Sequence, residues 1–557
     1  VEKICVEKIW LKSYPPHVPA EIDPGRYPSL VTMLEESFAK YADRVAYISM
    51  GCKMTYGELD HLSRDFAAGL QNLGIAQGAR VALMMPNLLQ YPVCLFGVLR
   101  AGCIAVNCNP LYTARELEHQ LMDSGAEAIV AVENFAATLQ DALPNTVLKH
   151  VIVTSVGDML GTVKGNLVDF ILKSVKKAIP AWHIPASVRL SAVLKEGRHA
   201  GFQHVDIGPQ DVAFLQYTGG TTGIAKGAML THRNIVSNVL QAEAWISKDL
   251  SETKELIVTA LPLYHIFALT ANCLIFIMTG NTNLLIVNAR DISGMVKELG
   301  KYPFTVITGV NTLFNALLNN PDFAKLDFSK LRLTLGGGMA VQAAVAERWE
   351  KVTGTPLIQA YGLTETSPGA CVNPVDQKHF NGAIGLPISS TEVSVRDDDG
   401  HELPLGEVGE ICIRGPQVMA GYWRQPKETE LVLGSDGFLR TGDLGYMDQQ
   451  GYVFLVDRKK DMILVSGFNV YPNEVEAAVA LHPGVQEVAA IGVPDERSGE
   501  AVKIIVVPKT PDLSVEALIT HCRSQLTAYK VPRYVEFRKD LPHTNVGKIL
   551  RRALKET

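Results

Sequence analysis

At 557 residues, with 47% hydrophobic and 20% charged side chains, 46 glycines and 29 prolines, the chain has ordinary globular usage, which excludes a disordered, collagenous or low-complexity polymer. Its length corresponds to about three to four domain-sized units, each able to bury a core. The 52 basic and 58 acidic residues give a net charge of −6, which argues against a nucleic-acid partner or a polybasic anchor. Nine scattered cysteines form no C-x-x-C pair, which suits a reducing compartment rather than a disulfide scaffold or zinc ribbon. Val1 to Tyr14 has no apolar segment, so no signal peptide is expected and the cytoplasm is the default.

Apolar residues recur at helical spacing at Val31, Leu34 and Phe38, and again at Leu59, Leu62, Phe66 and Leu70. Short apolar runs ended by turn residues follow at Val81–Met85, Ile104–Val106 and Ala128–Val132. This alternation predicts βα units in a mostly parallel sheet. Gly161 to Ile179 carries Val163, Leu167, Ile171, Val175 and Ile179 at i, i+4 spacing, with Lys164, Lys173, Lys176 and Lys177 elsewhere around the helix. Two readings are open for it: a helix lying on an anionic bilayer, or, the favoured one, a helix packed on the sheet with solvated lysines.

Leu256 to Gly280 is mostly apolar, but Pro262, Tyr264 and His265 break it near its centre. It is expected to form strand, turn and buried helix rather than a membrane span. The βα rhythm then runs on to Leu357. Between Gly382 and Tyr452, short strands and Gly/Pro turns predict a small antiparallel β unit. After Arg458-Lys-Lys-Asp461 the style changes again. A helix from Asn473 to about Leu481, strands at Val488–Val493 and Val502–Val507, a helix from about Ser514 to Leu526, a strand around Tyr534–Phe537 and a last helix after Lys548 predict a compact α+β unit. Residues 521–557 hold 9 basic against 3 acidic side chains, either a tip for anionic ligands or a solvated tail.

The strongest local signal is Tyr217-Thr-Gly-Gly-Thr-Thr-Gly-Ile-Ala-Lys-Gly227, directly after the apolar run Val212–Leu215. Gly219, Gly220 and Gly223 let backbone N–H groups close on an anion. Thr218, Thr221 and Thr222 add hydroxyls and Lys226 a positive charge, a set suited to a polyphosphate. The loop lacks the G-K-[ST] of a Walker motif and the G-x-G-x-x-G of a dinucleotide site. Gly336-Gly-Gly338 lies between a strand-like and a helix-like run, where side chains are absent and a ligand can approach the backbone.

Together with Leu261-Pro-Leu-Tyr-His265, Tyr361-Gly-Leu-Thr-Glu365, Thr441-Gly-Asp443, Asp457-Arg458, Gly467-Phe-Asn-Val-Tyr-Pro472 and Thr544-Asn-Val-Gly-Lys548, in that order, these motifs resemble the adenylate-forming (acyl-activating) enzyme superfamily along essentially the whole chain. The block from Asp436 to Lys460 resembles the signature of its long-chain fatty acyl-CoA synthetase branch. The resemblance implies an α/β fold with a large adenylating domain over residues 1–457, containing mixed, mostly parallel sheets and a β subdomain at about 382–456. It further implies a hinge at 458–461 and a mobile α+β lid over 462–557. The implied reaction joins a fatty acid to ATP, giving acyl-AMP and pyrophosphate, and then to coenzyme A, giving acyl-CoA and AMP.

By the same resemblance, Lys226 and the hydroxyls of Tyr217, Thr218, Thr221 and Thr222, with Gly219, Gly220 and Gly223, would surround the β/γ-phosphates. Glu365 would hold Mg²⁺, Thr364 would bond the α-phosphate, and Tyr361 beside Gly362 would lie against adenine. Gly337 and Gly338 would leave room for nucleotide and acyl chain, and Asp443 would accept from both ribose hydroxyls. Arg458 would hold the nucleotide from the hinge side, Lys460 would be the pivot, and Ser466 and Gly467 would line the tunnel for coenzyme A. Lys548 is the residue expected to bridge carboxylate and α-phosphate during adenylation, and His265 is expected to position the substrate.

Two departures stand out: Gly220 and Ala225 occupy positions where many superfamily members have Ser or Thr, and Pro. Three rival readings remain at this point: transfer of the acyl group to a carrier protein, a luciferase-type oxygenase, and a catalytically silent fatty-acid uptake module. Peripheral contact with the inner face of the cell membrane is expected alongside the cytoplasmic assignment, and acyl length and oligomeric state are not encoded in any of these motifs.

Overall fold

The structure is a computed structural model that describes residues 8–219, 225–246, 254–495, 497–544 and 547–555. The predicted βα rhythm builds two large sheets. In the first, six parallel strands run in the order Val212–Gly219, Ile104–Cys108, Arg80–Met84, Ala128–Val132, His150–Thr154, Ser187–Arg189. Their runs of buried Val, Ile, Leu and Ala are what a sheet covered on both faces requires. Ala225–Thr231 folds back antiparallel on Val212–Gly219, so the glycine-rich motif is the turn of a hairpin.

The second sheet has nine strands. Leu357–Gly362, Leu333–Gly336, Val306–Gly309, Leu256–Thr259, Thr282–Leu285 and Val45–Ser49 form its parallel centre, with antiparallel strands at both edges. Leu256 to Gly280 forms the expected strand followed by buried helical turns from Ile266 to Met278. Among the described residues, no helix is long and apolar enough to cross a membrane. The eight described cysteines are free thiols, seven of them buried.

The antiparallel unit expected over 382–456 is interrupted. Its four-stranded sheet comprises Glu392–Arg396, Gly409–Arg414, Leu439–Met447 and Val453–Arg458. Leu386–Pro387 instead closes the nine-stranded sheet, and Gly421–Tyr422 pairs with Ala225–Thr231 at the edge of the first sheet. Short strands carry no sequence mark of the sheet they will join, because the partner edge is set by tertiary packing. The terminal unit has its own core, with Ile463, Val475, Val488, Ile504 and Leu518 among its buried residues. Its hairpin is longer than expected, Val485–Asp495 against Gly499–Pro508, and the helices Pro472–Ala480 and Val515–Gln525 cover it.

The helix expected from Gly161 to Ile179 ends earlier and faces the other way. It runs over Thr162–Phe170 and continues as a wider helical turn over Ile171–Val175. Val163, Leu167, Phe170 and Val175 are 86%, 56%, 60% and 67% exposed, so the favoured reading of an apolar face packed on the sheet is overturned. The face turned inward is mostly small and polar, with Val168 alone of its large apolar residues packed against the main core. Gly165 meets Gly157, and Asp169 accepts hydrogen bonds from the Ser155 hydroxyl at 2.6 Å and the Gly157 N–H at 2.8 Å.

Candidate active site

Parallel strands bring functional side chains to their carboxyl ends, where loops leave the sheet and crevices open. Here residues at the ends of the strands Val306–Gly309, Leu333–Gly336 and Leu357–Gly362 line a gap with Thr218 and Lys226 of the glycine-rich hairpin, and residues of the C-terminal unit line its other side. The result is one cavity of about 2160 Å³. Its lining includes the polar side chains of Thr218, Lys226, Glu365, Asp443, Arg458 and Lys548 and apolar ones such as Trp245, Phe267, Phe276, Val306 and Val341.

Alternation along Val212–Gly219 sends neighbouring side chains to opposite faces. Gln216 donates to the Tyr264 carbonyl at 2.8 Å, whereas the Tyr217 hydroxyl donates to Asp123 at 2.5 Å. The Tyr217 hydroxyl, expected among the phosphate donors, is therefore committed to Asp123, because a strand that presents Thr218 to one side presents Tyr217 to the other. Gly220, Thr221, Thr222 and Gly223 lie outside the described residues. Lys226 is buried, its ammonium paired with Glu428 and standing 5.2 Å from the centre of the Tyr422 ring. Tyr422 in turn donates to Glu365 Oε1 at 2.7 Å.

Two glycines of the motifs stand against backbone, Gly362 far more closely than Gly337. A Cβ on Gly362 would stand 1.7 Å from the Pro368 carbonyl oxygen, and one on Gly337 would be 3.1 Å from the Ala360 carbonyl oxygen. Beyond Gly362, Thr364 opens a single turn that carries Glu365 to the cavity wall. Asp443 is 2% exposed and is held from two sides, by the Tyr361 hydroxyl at 2.7 Å and by Arg458 Nε at 2.8 Å. Burial pushes its carboxyl up while Arg458 pulls it down.

Lys548 enters the cavity from the C-terminal unit, its side chain running alongside Gly338, where a Cβ would lie 3.6 Å from the lysine Cε. The turn that presents it is closed by a Thr544 N–H to Lys548 carbonyl bond of 2.6 Å and anchored to the body by Thr312, which donates to the Gly547 carbonyl at 2.8 Å. Desolvation, then Arg458, push the ammonium down to about 8, against the opposing pull of Asp443 and Glu365. His265 caps the following helical turn through the Phe267 N–H at 3.4 Å. Burial, and secondarily Lys548, push its imidazole down to about 3, so it is neutral throughout the working range. A neutral imidazole at this place suits positioning and not proton donation.

The structure does not bring every expected residue together. Ser466 and Gly467 form the two-residue turn between Ile463–Val465 and Phe468–Val470, with φ of +51° and +85°. Both are exposed at the tip of that hairpin and neither lines the cavity. The C-terminal unit thus presents Lys548 to the cavity and this hairpin to the outside. Lys460 is exposed in the turn Arg458–Asp461, which is closed by the Asp461 N–H to the Arg458 carbonyl at 3.0 Å. Sequence reading missed Tyr422 and Glu428, which surround Lys226 and Glu365. Their role depends on Gly421–Tyr422 joining the first sheet, and no local signal announces that pairing.

This chain belongs to the AMP-binding enzyme family, whose model matches residues 34–423, followed by the AMP-binding enzyme C-terminal domain over 474–548. The long-chain-fatty-acid–CoA ligase of Yersinia pestis is 60% identical over 552 residues, covering 99% of this chain and 98% of that protein. The enzyme of the same name from Bacillus subtilis is 38% identical over 554 residues, again covering 99% and 98%. Among solved structures, ATP-bound MatB from Rhodopseudomonas palustris aligns with a TM-score of 0.82 at 29% identity, covering 94% of this chain and 98% of that one. The apo form of MatB, at the same identity and coverage, aligns less well, with a TM-score of 0.71.

Proposed function

We propose that this protein is a long-chain-fatty-acid–CoA ligase, which activates a fatty acid with ATP to acyl-AMP and pyrophosphate and then transfers the acyl group to coenzyme A, releasing AMP. The observation that carries this reading is a single cavity lined by both charged and apolar side chains. Lys548, Arg458, Asp443 and Glu365 converge in it, and Trp245, Phe267, Phe276, Val306 and Val341 give it apolar surface that an alkyl chain could cover. A carboxylate attacking a phosphate brings two anions together, so the work is electrostatic and positional.

In this reading Lys548 bridges the carboxylate and α-phosphate oxygens, with Thr364 donating to the α-phosphate. Lys226 and Thr218 meet the outer phosphates, Tyr361 lies against adenine, Asp443 accepts from the ribose hydroxyls, and His265 orients the fatty acid. Glu365 is a hard oxygen donor at the cavity wall with one oxygen already fixed by Tyr422, which fits a Mg²⁺ ion held by one carboxylate and by substrate phosphates. The ion would offset phosphate charge. Residues 1–457 form the adenylating domain, 458–461 the hinge with Lys460 as pivot, and 462–557 the lid. The better fit of the ATP-bound than the apo MatB structure supports a lid poised for adenylation. Rotation about the hinge would then carry Ser466 and Gly467 to the coenzyme A path.

The test is a panel of fatty acids of rising length, with pyrophosphate and acyl-CoA measured separately. Pyrophosphate release with AMP release that depends on coenzyme A supports the reading; acyl-AMP that persists in the presence of coenzyme A refutes it. The same reading includes peripheral membrane contact through Thr162–Val175, supported by its exposed Val163, Leu167, Phe170 and Val175 beside Lys164, Lys173, Lys176 and Lys177. Cosedimentation with anionic liposomes should be lost on Lys173/Lys176/Lys177→Glu. Equal binding by wild type and variant would refute it.

A further inference from the structure

Behind Lys548 lies a second charged cluster that none of the roles above uses. Asp457 is fully buried at the end of the body strand Val453–Arg458. Its Oδ2 accepts the Asn473 N–H at 2.7 Å, at the start of the lid helix Pro472–Ala480, and its Oδ1 accepts the Arg458 N–H at 2.7 Å. Arg551, three residues beyond Lys548, reaches into the same place. Its guanidinium donates to Glu476 at 2.8 and 3.1 Å and to Asn473 Oδ1 at 2.7 Å, and it stands 3.8 Å from Asp457 and 3.6 Å from Asp461 of the hinge turn.

These contacts divide into two kinds. Glu476 and Asn473 belong to the lid and would travel with Arg551 in any rotation, whereas Asp457 stays with the body. A buried carboxylate needs a paired cation and hydrogen bonds, and losing one partner is far more costly than the pair is worth. The planar fork of arginine can serve two carboxylates and an amide at once, which a lysine cannot. The two ends of the Lys548 segment are thereby fixed to the body, by Thr312 at Gly547 and by Asp457 through Arg551.

We propose that Arg551 is a positioning residue for the adenylation step, latching the lid to the body through Asp457 in the arrangement that inserts Lys548 into the cavity. The latch must open before the lid can rotate for thioester formation, so its loss should harm one half-reaction and not the other. This inference rests on the role given to Lys548 above.

The test measures the half-reactions apart: ATP–pyrophosphate exchange for adenylation, and coenzyme A-dependent consumption of supplied acyl-AMP for thioester formation. Arg551→Met should lower the exchange rate by about 100-fold, the order expected for breaking a buried pair, and leave acyl-AMP consumption within about threefold of wild type. Asp457→Asn, which alters the latch from the body strand, should show the same bias, and the double variant should be no worse than Arg551→Met alone. Parallel loss of both half-reactions, an unchanged exchange rate, or additive losses in the double variant would overturn the latch. Lys548→Ala in the same assays separates the two ideas. If it spares exchange, the role of Lys548 fails; if it abolishes exchange while Arg551→Met shows no bias, the latch alone fails.

Discussion

The state of the Lys548 ammonium yields a prediction that can be worked through in numbers. It is pushed down from 10.5 to about 8, by desolvation first and by Arg458 second. A tenfold change in proton affinity is about 1.4 kcal/mol, so holding the charged form at neutral pH costs the folded protein about 3 kcal/mol. The sign follows from the direction of the shift. Folding favours the neutral amine, the cost is present in full below pH about 8, and it fades as pH rises toward the unfolded value of 10.5. A bound carboxylate and polyphosphate supply the missing counter-charge and draw the ammonium back up. With the ammonium as the working form, kcat/KM for acyl-adenylate formation should fall above pH about 8, to roughly one-tenth at pH 9, because that parameter reports the free enzyme. The kcat of the same step, which reports the bound enzyme, should stay level to higher pH. ATP–pyrophosphate exchange without coenzyme A is the right assay, since the coenzyme A thiol ionises over the same range. Arg458→Gln should move the limb to higher pH and Asp443→Asn to lower pH. A kcat/KM that is flat to pH 10, or an unmoved limb in the residual activity of Lys548→Ala, would show that the limb does not belong to the Lys548 ammonium.

Gly362→Ala should destabilise the body by about 3 kcal/mol or more, since its Cβ would sit 1.7 Å from the Pro368 carbonyl oxygen and backbone must shift; urea unfolding followed by intrinsic fluorescence reads this directly. His265→Ala should raise KM for the fatty acid but leave the shape of the pH profile between about pH 5 and 7.5 unchanged, because the imidazole, pushed down to about 3, does not titrate there. A limb that disappears from that range would assign it proton transfer instead. Glu428→Gln should lower KM for ATP by about fivefold, roughly 1 kcal/mol, by freeing Lys226 from a partly exposed ion pair that competes with phosphate. Initial rates across ATP concentrations suffice, and an increase in KM would show that Glu428 assists nucleotide binding.

Local chemistry made much of this protein legible from its sequence. Periodicity marked Leu30–Lys40, Tyr56–Asn72 and Ala128–Val132, because a helix or strand that buries one face must repeat apolar residues at its own period. Motif order also pointed to the family, since a position such as Gly362, whose Cβ would meet backbone, leaves a glycine in the sequence that can be read. Other features depend on which surfaces meet, and spacing does not encode that. The exposed side of Thr162–Val175 was decided by Gly157 and Gly165, whose close approach turned the lysine-flanked apolar face outward. Tyr217 went to Asp123 by strand alternation, and Tyr422 reached Glu365 only because a two-residue strand joined a distant sheet. The orientation of the lid is the strongest case. Sequence singled out both Lys548 and Gly467 as candidates, but only the tertiary structure decided which of them lines the cavity, with Thr312 bonded to Gly547 and Asp457 beside Arg551, because a single packed unit cannot present both of its edges to the same cleft at once.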